Sequence, residues 1–323
     1  MKFDEMNLRD AEGGILAYSL SYKNGRAKKG QIVDLDLINK LHFEGIRTVH
    51  VAKPDSYDLG EDFVAYEIAS LLCGDNCTVT RATTGRANIY SDADGLATLD
   101  VNLLNELNYI DERLTVATCQ PSQKVLKGEV VATIKVIPFA LPINVFQTAC
   151  DLIDRGQPAI KVSCFEKHNA GLILTKNSWN KTKVINKGEC ILEQKLNSLG
   201  SDLMRTIVTD HSHFSVAKAI IDLEENKLSP ILILGSCALC DRNDVIPRAL
   251  TYAGGDVVHV GMPVEPGNLL MFGNINNSSV IGVPTCARSH KLNGFDWILQ
   301  QVISGQKISS KYIMSLGIGG LIK

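Results

Sequence analysis

The residues with most chemical potential lie in one stretch, GSCALCDRNDVIPRAL, from Gly235 to Leu250. It follows the apolar run SPILIL and holds a Cys-x-x-Cys pair, Cys237 and Cys240. Such a pair can be redox-active or form half of a zinc site. Zinc needs two further ligands, and the sequence has no second Cys-x-x-Cys. The plainer expectation is that these thiols pack as small apolar groups. Gly235 and Ser236 are small enough to let backbone N–H groups approach an anion. Asp241 and Asp244 are candidate catalytic carboxylates that can position Mg²⁺, with Asp244 the candidate metal ligand. Either can also cap a helix. Arg242 offers a rigid fork to a phosphate.

Two further loops have a similar composition. In GMPVEPGNLLMFG (261–273), Pro266, Gly267 and Asn268 form a turn that permits close backbone approach. In GVPTCARSHKLNGFDWILQ (282–300), Pro284 opens a segment in which Thr285, Arg288, Ser289 and Lys291 precede a helix and can hold an anion. DHSHF (210–214) brings His211 and His213 to another strand end, with Ser212 or Asp210 as a helix cap. GxxxxGK[ST] and GxGxxG are both absent from strand ends, so neither a P-loop nor a dinucleotide fingerprint is expected.

These loops need strands behind them. GLILTK (171–176), MRTIVTD (204–210), SPILILG (229–235), DVVHVGMP (256–263) and SSVIGVP (278–284) read as strands. Segments 189–200, 213–226, 244–254 and 295–305 read as helices. This alternation predicts an α/β domain with a mostly parallel sheet, over residues 156–323. Residues 1–155 read as a mixed α+β region. Within it, Asp34 caps a helix stopped by Gly45, and 58–74 forms a second amphipathic helix closed by Gly74.

Composition narrows the partners. With 33 basic and 35 acidic side chains the net charge is -2, so no nucleic-acid partner is expected. Nine scattered cysteines do not resemble a disulfide framework, and a reducing cytoplasm is the simpler expectation. MKFDEMNLRD is not a signal peptide, and VIPFALPINVF (136–146) is too short to span a bilayer.

The sequence resembles the molybdopterin-binding proteins of molybdenum cofactor biosynthesis. It is most similar to the branch in which a molybdopterin-binding module often precedes a nucleotidyltransferase domain. The resembling segments in the first half include KKGQIVDLDLINKLHFEGIRTVHVA (28–52), TGRANIYSDADG (84–95) and TVATCQPSQKVLKGEVVATIKVIPFALP (115–142). In the second half they are the three loops already quoted with their strands. No counterpart of the transferase domain is expected in these 323 residues.

The resemblance implies a three-layer α/β domain binding molybdopterin across its strand-end loops, with Mg²⁺ as a possible companion. It implies a small pterin ligand, a molybdoenzyme or nucleotidyltransferase as partner, and a homo-oligomer. Gly235 and Ser236 match the family's glycine-rich turn, and Asp244 matches its acidic residue better than Asp241. Pro266 and Gly267 match its Pro-Gly loop, and Pro284 opens the last binding loop. Arg288 and Lys291 suit a phosphate or an anionic metal oxide. Ser236 stands where the family has a second Gly, and Cys240 where it has a later one. The implied role is metal insertion or cofactor handover; the departures leave a carrier without turnover as an alternative. A Cys237/Cys240 redox or zinc module is the third reading.

Overall fold

A computed structural model describes residues 1–23, 25–154, 156–176 and 182–322, with side chains of the helix starting at Thr182 described from Lys187 onward. The chain forms two compact units, Met1–Ser163 and Cys164–Lys323. The division expected at 155/156 falls on Arg155, which lies outside the described residues.

In the first unit, Lys2–Asn7 and Ile15–Leu16 pair antiparallel on either side of Thr48–Lys53. The helix Leu35–Phe43 covers this sheet, because Leu37, Ile38 and Leu41 recur at helical spacing and are buried. Asp34 caps it by accepting a hydrogen bond from the Leu37 N–H, and Gly45 follows with φ +81°. A second core gathers around the antiparallel strands Cys77–Val79, Arg86–Ser91, Val130–Val136 and Leu114–Thr118. The helix Glu61–Leu72 buries Val64, Ala65, Ile68, Ala69 and Leu72 against that core.

The second unit carries a six-stranded sheet. Its strands are β1 (Asn169–Lys176), β2 (Asp202–Asp210), β3 (Ile231–Leu234), β4 (Asp256–Val260), β5 (Met271–Ile275) and β6 (Ser278–Val283). Its helices are α1 (Thr182–Asn197), α2 (His213–Glu225), α3 (Val245–Tyr252), α4 (Gly294–Ile303) and α5 (Ser310–Ser315). The strand order is β2-β1-β3-β6-β5-β4. Successive residues of the central strands serve opposite cores. Leu172, Leu174, Leu232 and Leu234 pack with residues of α1 and α4, whereas Ile173, Ile231 and Ile233 pack with residues of α2 and α3. Both faces are therefore covered, which is why these short strands are almost wholly apolar.

The expectation of a mostly parallel sheet is overturned. Within the six-stranded sheet, parallel pairing joins β2-β1-β3-β6, whereas β6-β5 and β5-β4 are antiparallel, as are the two sheets described in the first unit. The overlooked element is β5, read from sequence as part of a loop. Only Asn276 and Asn277 separate Ile275 from its partner Ser278. A two-residue connection reverses the chain and cannot provide a parallel crossover. Asn276 takes φ +49°, a left-handed conformation that Asn tolerates better than most residues.

Candidate functional site at the strand ends of the second unit

The topology brings the three singled-out loops to one edge of the sheet. β1, β2, β3 and β6 all end there. β5 runs the other way, and its first residue, Met271, pairs with Gly282 near the end of β6. The β4–β5 loop carrying Pro266, Gly267 and Asn268 therefore lies at the same edge as the segments after β3 and β6.

A buried hydroxyl ties three of these strand ends together. Thr175, 2% exposed, lies near the end of β1. Its Oγ1 accepts the Ser236 N–H at 2.7 Å and lies 2.8 Å from Nδ1 of His211, which follows β2. The Thr175 hydroxyl hydrogen needs an acceptor, and among the described residues Nδ1 is the one in reach. This assigns His211 as the Nε2–H tautomer. Burial pulls the His211 pKa down, against a smaller opposite pull from the Asp244 charge. Burial thus disfavours the charged ring, which lies within the influence of the Asp244 carboxylate.

Gly235 is required by packing whether or not a ligand binds. A Cβ there would sit 2.9 Å from the Cys237 carbonyl oxygen and 3.2 Å from Ile246 Cδ1. Its own carbonyl accepts a 2.8 Å hydrogen bond from Arg288 Nη2. Arg288, half-buried, thereby links the β6 loop to the β3 turn. Its Nε is buried with no hydrogen-bond partner among the described residues, and burial lowers its pKa from the ordinary guanidinium range.

Asp244 caps α3. One carboxylate oxygen accepts the Val245 N–H at 2.6 Å and the other accepts the Cys240 N–H at 3.1 Å. Its charge thus sits at a helix N-terminus, where the dipole favours it. Asp241 is exposed and accepts the Asn243 N–H at 2.7 Å. Arg242 donates to the carbonyls of Val257 and Val258, at 3.0 and 3.3 Å. It satisfies main-chain acceptors of β4, an edge strand, instead of pointing its fork at the crevice.

The Pro-Gly loop packs against the start of α4. Gly267 has φ +130°, and a Cβ on it would lie 2.5 Å from the Gly294 nitrogen. The Gly294 N–H donates to the Pro266 carbonyl at 2.9 Å. On its other side the loop is strapped by the C-terminal segment: Glu265 N–H donates to Gly320 and Ile322 N–H to Glu265. Asn268 is exposed, and its carbonyl accepts the Met262 N–H. Pro284 is buried ahead of a 3-10 turn, Thr285–Arg288. Thr285, Ser289 and Lys291 are exposed, and the Ser289 hydroxyl accepts the Lys291 N–H.

The edge thus brings Gly235, Ser236, Asp244 and Arg288 together with Thr175 and His211. Asp241 and Arg242 are engaged in local and edge-strand contacts instead. Sequence reading missed Thr175, whose signal was a lone hydroxyl near the end of the apolar run GLILTK. Cys237 and Cys240 are both exposed. Among the described residues, no three His, Cys, Asp or Glu side chains converge as a metal site. Ser212 caps α2 by accepting the Ser215 N–H.

No family model matches the chain. No curated relative matches it either. Among solved structures it is similar to a molybdopterin biosynthesis MoeA protein from Pyrococcus horikosii, at 14% identity and a TM-score of 0.34, over 94% of this chain and 75% of that one. It is also similar to a molybdenum cofactor biosynthesis protein from Pyrococcus furiosus, at 11% identity and a TM-score of 0.28, over 95% of this chain and 66% of that one. Both likenesses are distant.

Proposed function

We propose that the second unit binds molybdopterin, or its nucleotide-linked or metal-loaded form, across this strand-end edge during molybdenum cofactor biosynthesis. One observation carries the reading: three loops of small, basic and hydroxyl residues meet at the edge where Thr175 joins Ser236 and His211. Open α/β sheets bind ligands beyond the carboxyl ends of their parallel strands. The resemblance of the loop sequences supplies the ligand's chemical class.

In this reading the exposed hydroxyls of Thr285 and Ser289 and the Lys291 ammonium meet the ligand's phosphate, with the Ser236 hydroxyl on the opposite side. Arg288 holds the β3 turn in place through the Gly235 carbonyl and adds positive charge beneath it. His211 offers its Nε2–H to a ligand oxygen.

Mg²⁺ fits the residues poorly. Both oxygens of Asp244 are engaged by backbone N–H groups, and no second carboxylate or imidazole completes a three-ligand set among the described residues. No step is therefore routed through a metal held by this chain. In the carrier form of the reading, the protein holds the cofactor and hands it over to a molybdoenzyme or a nucleotidyltransferase. The zinc form of the thiol reading finds no third ligand beside Cys237 and Cys240 among the described residues.

The test is mass spectrometry of small molecules retained by the protein when it is purified from a cofactor-producing host. The reading expects a pterin phosphate in stoichiometric amount. Recovery of none from such a host, under anaerobic purification, would reject it.

A further inference from the structure

The Pro-Gly loop is held from two sides in unlike ways. Toward α4 the hold is rigid. The Gly294 N–H that meets the Pro266 carbonyl belongs to a buried capping box, in which Asn293 accepts the Phe295 N–H and Asp296 accepts the Asn293 N–H. An ion pair with Lys195 of α1, at 2.5 Å, fixes Asp296 in turn. On the other side the hold comes from Gly317–Ile322, beyond α5. The Glu265 N–H donates to the Gly320 carbonyl at 2.8 Å, and the Ile322 N–H donates to the Glu265 carbonyl at 2.9 Å, closing an isolated parallel bridge. Three of these six residues are glycines. Ile318 and Leu321 are exposed, while Ile322 packs into the core that holds α4. An open groove of about 340 Å³, whose lining includes Pro263, Val264, Gly317 and Leu321, runs between segment and loop. The close fit is at Gly320, which is buried: a Cβ there would lie 2.3 Å from the Pro263 carbonyl oxygen and 2.7 Å from that of Leu316. The Gly320 N–H donates back to Gly317, closing a turn in which Gly319 takes φ +84°.

We propose that Gly317–Ile322 is a positioning strap for the ligand site: it holds Glu265 and so sets the Pro266–Gly267 turn in the form that receives the ligand. The inference rests on the binding reading above. Glu265 directly precedes Pro266, so both strap hydrogen bonds act one residue from the carbonyl that α4 holds. A loop tied on both sides loses less freedom when a ligand orders it. With the strap off, the loop keeps only the α4 hold, and the ligand must order the rest at a cost to affinity. A glycine-rich segment with two exposed apolar side chains can open locally while α4 and α5 stay folded. Linkage makes the effect reciprocal. The factor by which the strap raises ligand affinity is the factor by which the ligand holds the strap closed. A segment that merely completes the fold has no such coupling.

Amide hydrogen exchange and anaerobic titration of the whole protein read both sides of this coupling. Wild-type protein is exchanged with and without saturating molybdopterin. The Ile322 amide is expected to exchange about tenfold more slowly when the ligand is bound, within the ordinary range of coupling between sites. Gly320→Ala, which drives the strap off the Pro263 carbonyl, is expected to bind molybdopterin about tenfold more weakly, the same factor. Ile318→Ala, at a fully exposed position, should bind as the wild type does. If Gly320→Ala does not fold, the exchange comparison on the wild type decides alone. Wild-type binding that leaves Ile322 exchange unchanged, or a folded Gly320→Ala that binds as tightly as the wild type, would overturn the strap and leave the binding reading standing. Absence of wild-type binding would reject both.

Discussion

The hydroxyl of Thr175 accepts the main-chain N–H of Ser236 at 2.7 Å, joining two neighbouring parallel strands just beyond their last ladder pair. That ladder ends at Leu174 and Leu234. The next backbone donor would otherwise be left without a strand partner at the point where the chain turns. The threonine therefore sets the shape of the turn that the proposed ligand meets, and through the same oxygen it orients His211.

Replacing Thr175 with Val keeps the shape and removes the acceptor. The part-buried N–H of Ser236 then loses its partner, and a cost of roughly 1–3 kcal/mol in unfolding free energy is expected. Thr175→Ser retains the oxygen and should lose far less. Urea denaturation of the two variants distinguishes them; equal losses would mean that the methyl group, not the hydrogen bond, matters.

His211 should stay neutral at pH values where an ordinary histidine is half protonated, because burial disfavours its charged form. The sign follows from linkage. Below about pH 6.5 the unfolded chain binds a proton at this position that the folded chain resists. The stability contribution is thus complete above that pH and is lost as the pH falls through the depressed folded value. A nitrogen-15 titration should show the Nε2–H tautomer at pH 7 and a midpoint below those of exposed histidines. An Nδ1–H signal would contradict the role given to Thr175.

Gly267 and Gly254 separate backbone strain from crowding. Both have positive φ, +130° and +90°, but a Cβ at Gly254 meets nothing within 4 Å whereas one at Gly267 meets the Gly294 backbone. Gly254→Ala should cost about 1 kcal/mol, the ordinary penalty of the left-handed region. Gly267→Ala should cost more, on the order of 1–3 kcal/mol, and displace the Pro-Gly loop. Thermal unfolding of the two variants tests the ordering.

Much of the second unit was legible because its signals are local. Ile231–Leu234 is an unbroken apolar run, and α2 starts at Ser212 and α3 at Asp244, both residues that favour helix caps. The sheet's direction was not legible from the helix-strand rhythm, since it turned on β5. The Asn276–Asn277 pair between MFGNI and SSVIGV was the hairpin signal that marked it. The site was legible only as a set of loops. That Arg242 reaches the β4 carbonyls while Arg288 reaches Gly235 depends on strand order, which spacing along the chain does not encode.

Cys237 and Cys240 are exposed, and their sulfurs hold up no part of the core. Changing both to Ser should alter unfolding free energy by less than about 0.5 kcal/mol, as at other surface positions. It should also leave ligand retention unchanged. Loss of bound metal, or loss of retained ligand in the double variant, would restore the thiol reading.

The most direct test of the central claim is anaerobic isothermal titration of the purified protein with molybdopterin. Saturable binding at one site per chain is predicted, weakened at least tenfold by Thr175→Val and largely retained by Thr175→Ser. Absence of binding by the wild-type chain, or binding indifferent to the loss of the Thr175 oxygen, would contradict it.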